Sequence, residues 1–535
     1  MKSFVFALAA IFALAFSSCF NAADSAIEAK ASDWLFLVYL DADDTAINDT
    51  LYQNMRLAEY SLTQIRNPDG TPKEGSPSIN IVVLWDGISE EKKGSSKCLH
   101  PDGAVLELGA DYQLQARLDN LTTDDEYLAL FTKWEVGSNT KDLTLAARDW
   151  LKIEPDMGDP KNLEGFLKWA KARYRSDNVV VCLNDHGAGT HKETYEDTTA
   201  ISKSLCSDAT NGSQKLLTCA GIKRALMAAG YTGADKPKIL CNDVCLQATA
   251  EIVYNFAGCA DYLTASPNVS VLNDWSKIYP NIKNGFSAID VGKLIVSAYY
   301  NTYHQCGANF HQPEEEAKAL RASGYSMFTC SLLSLDQQKA AALKTAVNNF
   351  AEALRAMQYR DNGAFNSIYE NYIKQDMDDF SKCKGLAYAG TFAYLNDLGW
   401  LAKDVLSDAA LSAAHQSAQS LLDLLKNGDD KLIVYAWGGN KASGENASGW
   451  TGVTANSMYL TGQKDFLTGN SVAVEYCDDV YGLTIAASPR YDYPIGWLGP
   501  KPNSENTVKN YYDWTGFSYA WGEVINDWMK RAYKL

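Results

Sequence analysis

Residues 178–189 read Asn-Val-Val-Val-Cys-Leu-Asn-Asp-His-Gly-Ala-Gly. An apolar run of this length without polar alternation reads as a strand covered on both faces. Its end in Asn184-Asp185-His186-Gly187 marks a loop at the carboxyl end. Four other stretches repeat the pattern. Trp34–Leu40 ends in Asp41-Ala42-Asp43-Asp44, and Asn80–Leu84 ends in Trp85-Asp86-Gly87. Lys238–Cys241 ends in Asn242-Asp243-Val244-Cys245, and Ala260–Thr264 ends in Ala265-Ser266-Pro267. Helical patterns lie between them over Asn162–Arg173, Thr218–Ala229 and Leu246–Phe256. Strands alternating with helices predict an α/β fold, a mostly parallel sheet flanked by helices. Such sheets carry their chemistry where the carboxyl ends of the strands meet.

Two of these ends hold the reactive side chains. A thiol is a nucleophile only as thiolate, and it needs a proton acceptor or positive potential to reach that state. Of six histidines, only His186 stands directly at a predicted strand end, and Gly187 after it lets a substrate carbonyl approach the backbone. Cys245 stands at the next strand end, 59 residues on. With neighbouring strands about 4.8 Å apart, loops from one edge can bring thiol and imidazole together. A helix beginning at Leu246 would lower the thiol pKa and offer free N–H groups to an oxyanion. On these residues alone, a packed cysteine and a structural histidine fit as well.

The chain has 535 residues, 46% hydrophobic and 21% charged, a globular composition with length for several domains. Its 48 Lys and Arg against 65 Asp and Glu give a net charge of −17, which argues against nucleic acid as a partner and favours cationic ones. After Lys2, residues Phe4–Phe16 are uninterruptedly apolar. That is shorter than the roughly 20 residues of a membrane span and suits the core of a signal peptide, taken here as residues 1–23. Small residues before Cys19 resemble a bacterial lipoprotein processing site, which would make Cys19 a lipidated first residue. Phe16 stands where that pattern usually has an aliphatic residue, so cleavage after Ala22 or Ala23 is the alternative. Either route predicts an exported protein, secreted, periplasmic or on the cell surface, touching membrane only through such a lipid. The twelve cysteines show no zinc spacing. With Cys19 and Cys245 set aside, ten remain for up to five disulfides in an oxidising compartment, or as buried thiols.

A catalytic domain is expected over 32–310 and a C-terminal α+β region over 315–535, packed on it. Tyr325–Leu333 reads as a strand, and Ser334-Leu-Asp-Gln337 as a capping box. Leu343, Val347, Phe350 and Leu354 follow on one helix face. Six of the thirteen Trp fall in the last hundred residues: Trp437, Trp450, Trp497, Trp514, Trp521 and Trp528. They read as core before they read as a binding face.

Several of these strings, in order, resemble the clostripain family of cysteine peptidases. Asn184–Gly189 resembles that family's Asp-His-Gly-Ser-Gly, and Asn242–Leu246 its Asp-Ala-Cys-Leu. Trp34–Asp43 is similar to its first strand and Ala260–Pro267 to its Ala-Asp-x-x-x-x-Ser strand. Ser326–Asp336 and Phe517–Tyr533 extend the likeness to nearly the whole mature chain. No G-x-S-x-G elbow or papain-type Cys-Gly-x-Cys-Trp competes with it.

The resemblance implies a caspase-like fold, shared with caspases, legumain and gingipains, and a His-Cys dyad that needs no third residue. Cys245 would attack the scissile carbonyl, with His186 moving the proton and the N–H groups of Gly187 and Cys245 holding the oxyanion. Asp185 is read as structural. Asp243 would line the pocket for the residue preceding the cleaved bond and select Arg or Lys, because a desolvated carboxylate suits a guanidinium. The alternative for Asp243 is a cap on the helix from Leu246. Thr190, Val244 and Gln247 depart from the family's usual residues and alter the pocket walls. Self-cleavage between His186 and Cys245 is expected after Lys192, Lys203 or Lys215. No cofactor is required for this chemistry, and calcium is the one ion implied, although Asp41, Asp43 and Asp44 lack an EF-hand register. The expected product is a monomeric endopeptidase acting on peptides or proteins with Arg or Lys. The alternative is a catalytically silent surface protein that binds protein or glycan partners.

Overall fold

The structure is a computed structural model. It describes residues 29–45, 47–187, 205–207, 216–267, 270, 272–305, 329–360, 363, 395–438, 466–467, 481–486, 511 and 515–532. The signal-peptide region with Cys19, and Lys192, Lys203 and Lys215, lie outside them, as do Thr190, Trp450, Trp497 and Trp514.

A nine-stranded sheet organises the chain. Its strands are β1 (Trp34–Ala42), β2 (Ile79–Gly87), β3 (Ala104–Glu107), β4 (Lys141–Asp142) and β5 (Val179–Asn184). Then come β6 (Ile239–Asp243), β7 (Tyr262–Ala265), β8 (Thr329–Ser334) and β9 (Ile433–Gly438). In space the order is β9-β8-β7-β6-β5-β1-β2-β3-β4. The central five, β7 to β2, are parallel. The two strands at each edge run antiparallel. The apolar runs that end in polar rim residues therefore mark the parallel centre. The order reverses between β5 and β1, the crevice where open α/β sheets place their sites.

Both faces of the centre are covered, which is why its strands lack alternation. Trp34, Phe36, Val38 and Leu40 of β1 point into one core with Leu51, Met55 and Leu62 of α1 (Asn48–Leu62). Leu35, Leu37 and Tyr39 point into the other with Leu163, Phe166 and Leu167 of α2 (Pro160–Arg173). Asp159 caps α2, whose first residue is Pro160, so it begins two residues before the apolar pattern suggests. Thr218 caps α3 (Cys219–Ala228).

The second half does not form a separate core. β8 pairs with β7 and β9 with β8, so the boundary near 310–315 falls within one continuous sheet. Leu343, Val347, Phe350 and Leu354 are buried on one face of α6 (Gln337–Arg360), beyond α4 (Ala250–Phe256) and α5 (Ala288–Gln305). The cap of α6 is Asp336, which accepts from the amides of Gln338 and Lys339; the capping box expected at Ser334 does not form. Trp521 and Trp528 are fully buried and serve as core. The disulfides expected from export are not formed among the described residues: Cys98, Cys182, Cys206, Cys219, Cys241, Cys245, Cys259 and Cys330 are free thiols. Most of these thiols are buried and act as small apolar side chains.

Candidate active site

Register builds the site. β5 and β6 pair in parallel with Asn184 opposite Asp243. His186 and Cys245 each stand two residues beyond that pair, so the chain carries them off the same rim. Gly187 seats the first loop on the second: a Cβ there would lie 2.3 Å from the carbonyl oxygen of Cys245 and 2.9 Å from its nitrogen. Any larger residue would push the loops apart. Cys245, His186, Gly187 and Asp243 thus meet at one sheet edge.

The turn around the thiol differs from expectation. Cys245 does not open a helix; Leu246 takes a left-handed φ of 62°, and α4 begins at Ala250 with Thr249 as its cap. A bulky residue in that region is strained and must be held in place. Two bonds hold it: the amides of Gln247 and Ala248 both donate to the carbonyl of Ser266, at 2.8 and 2.9 Å. From the far end of the chain, the amide of Thr484 donates to the carbonyl of Ala248 at 3.0 Å.

The electrostatics follow from burial. Desolvation pushes the Cys245 thiol up; the amides of Ser270 and Gly187 pull it down without cancelling that, and Asp185 and Asp243 add to the rise. The lowering that a helix terminus would bring is absent, because no helix starts there. The amide of Ser270 donates to Sγ at 3.2 Å, and Sγ lies 3.4 Å from the carbonyl of the same residue. Burial thus disfavours the thiolate, and a base is needed to take the proton.

Asp243 is not a helix cap. It is buried and accepts from Asn184 Nδ2 at 2.5 Å and from the amide of Asn273 at 2.8 Å. Burial raises its pKa to about 7, even though these donors and Trp275 pull the other way. The acceptor oxygens Asn184 Oδ1 and Asn273 Oδ1 beside it are buried without a hydrogen-bond partner. Asn184 and Asn273 are contacts the sequence reading missed; register pairing with Asp243 was the available signal for Asn184.

A third missed residue is Asp44, grouped in the sequence with an acidic loop. Its Oδ1 lies 3.3 Å from Nε2 of His186. Asp185 instead joins Asp41 and Cys206 in a buried cluster whose ligand atoms lie within 4.8 Å of one another. Calcium takes six to eight oxygen ligands. Two carboxylates and a thiol do not fit that ion, and no step here runs through it.

A free thiol and an imidazole at adjacent ends of parallel strands, beside a buried carboxylate, define a cysteine-hydrolase type of site. The profile of the clostripain family matches residues 53–528, and the chain belongs to that family, a family of cysteine peptidases. Clostripain of Hathewaya histolytica is 27% identical over 300 residues, covering 52% of this chain and 51% of that protein. The chain thus spans about half the length of the curated relative it matches. Among solved structures, a secreted C11 cysteine protease from Bacteroides thetaiotaomicron, bound to an irreversible peptide inhibitor, is similar at 13% identity. Its TM-score is 0.47, covering 90% of this chain and 98% of that one. An inactive zymogen C11 protease from Parabacteroides distasonis is similar at 12% identity and a TM-score of 0.41, covering 85% and 91%.

Proposed function

We propose that the chain is an exported cysteine endopeptidase that cleaves after Arg or Lys with a His186–Cys245 dyad. The observation that carries this reading is the shared register: thiol and imidazole leave neighbouring parallel strands at equivalent positions, with Gly187 seated on the backbone of Cys245.

His186 takes the thiol proton as Sγ attacks the scissile carbonyl carbon. The developing oxyanion is held by the N–H groups of Gly187 and Cys245. The C–N bond breaks as His186 gives the proton to the leaving amine, which leaves a thioester on Cys245. Water then attacks the thioester with His186 taking its proton; the acid product departs and the thiol regains its hydrogen. No metal is needed in these steps. Asp243, with the open acceptors of Asn184 and Asn273, suits a cationic side chain rich in donors. The apolar segment at residues 4–16 supports export. No helix among the described residues is long and apolar enough to cross a membrane. Self-processing after Lys192, Lys203 or Lys215 belongs to the same proposal, and a purified protein that is active yet full-length on a gel refutes it.

Fluorogenic Arg, Lys, Asn and Asp peptides, with calcium and with EDTA, test the reading beside Cys245→Ala. Turnover of the Arg or Lys peptide, lost in Cys245→Ala, is expected. Asn or Asp turnover would overturn the pocket assignment. No thiol-dependent turnover of any peptide would favour the silent binding protein.

A further inference from the structure

The imidazole of His186 is held by a strand that carries neither the histidine nor the nucleophile. β1 lies beside β5 with Leu40 opposite Asn184. The chain leaving β1 therefore emerges next to the chain leaving β5, and it brings Asp44 Oδ1 to 3.3 Å from Nε2 of His186. A neutral imidazole carries one N–H, and the nitrogen held by an acceptor is the one that keeps it.

We propose that Asp44 is a positioning residue for His186: its carboxylate accepts from Nε2–H, sets the tautomer and the ring orientation, and directs proton exchange with the thiol and the leaving amine through Nδ1. This rests on the peptidase reading above and extends the dyad by a residue that acts only through the histidine. The carboxylate also supports the imidazolium formed when the thiol yields its proton. The two side chains are 38% and 34% exposed. An ion pair that open to water adds little to stability, so its value lies in orientation. Among the described residues, the other titratable groups at these and the adjoining strand ends are Asp41, Asp43, Asp86, Asp185, Cys206, Asp243 and Cys245. They stay constant across the variants below.

The test uses the full chain as Asp44→Ala and Asp44→Asn, each with a thermal melt to confirm folding. One readout is steady-state turnover of the preferred peptide. The other is the rate of iodoacetamide alkylation of Cys245 between about pH 5 and 8, where histidine titrates, with Cys245→Ala identifying the labelled site. Asp44→Ala is expected to lower kcat about tenfold or more with KM within about twofold, against ~10²–10⁴ for loss of all acid–base assistance. Asp44→Asn, whose amide oxygen still accepts from Nε2–H, should lose less. Both should shift the alkylation midpoint to lower pH, because the imidazolium has lost its counter-charge. An unchanged kcat in Asp44→Ala, or equal losses in both variants with an unmoved alkylation profile, would overturn the proposal. Failure of the parent to cleave any peptide would sink the peptidase reading instead. The alkylation profiles would still report whether Asp44 is coupled to His186.

Discussion

Asp243 gives the site its own pH dependence. Folding raises its pKa from the usual carboxylate value, about 3.9, to about 7, by burial. The folded state then binds the proton more tightly than the unfolded state. Its stabilising effect is full below about pH 4 and is lost as pH rises through about 7. Asp243→Asn removes that loss, so its melting temperature relative to the parent should rise from about pH 5 to about pH 8, an interval that brackets this pKa of about 7. A cationic substrate side chain favours the ionised form, so the same substitution should abolish turnover of basic peptides. Thermal melts at both pH values, paired with peptide kinetics, check the two halves. A stability difference independent of pH would show that Asp243 is ionised throughout.

At the scale of the element, caps and turns decide positions that hydrophobic pattern leaves open. α6 is placed by Asp336, which accepts from Gln338 and Lys339 at 3.0 and 2.9 Å. Asp336→Ala should destabilise the fold by about 0.5–2 kcal/mol, the usual cost of a lost N-cap. Denaturant unfolding measures this, and kcat should not change, because α6 contributes no side chain to the site. The turn after β6 is less local. Leu246 adopts its left-handed conformation because Ser266 and Thr484 hold the residues after it, one from the neighbouring strand and one from much later in the chain.

At the scale of the whole molecule, the second half completes the first. β8 and β9 cover the edge that β7 would otherwise present, and a bare apolar edge invites association. Glu251 of α4 accepts from the amide of Ala486 and the hydroxyl of Tyr511, so the C-terminal segments brace the helix that follows the nucleophile. A chain ending at residue 310 should therefore be aggregated or unfolded, with no peptide turnover. Size-exclusion chromatography and circular dichroism report this, and a monomeric, folded and active fragment would contradict it.

The parallel centre of the sheet was legible because strands buried on both faces must be apolar throughout, and each such run here ends in the polar residues that reach the rim. That legibility extended to His186, Gly187, Asp243 and Cys245, whose strand-end positions follow from local pattern. The strand at Thr329–Ser334 was legible, but the antiparallel pairing of the edges, the choice between disulfides and free thiols, the turn at Leu246 and the contact of Asp44 with His186 were not. Each depends on which strands become neighbours and in what register, and those relations join residues far apart in the chain. The amino-acid order alone determined the class of fold and the reactive groups. The packing of β1 against β5, and of the C-terminal segments against α4, decided what those groups touch, because hydrogen bonds and burial depend on distances that exist only once the chain has closed.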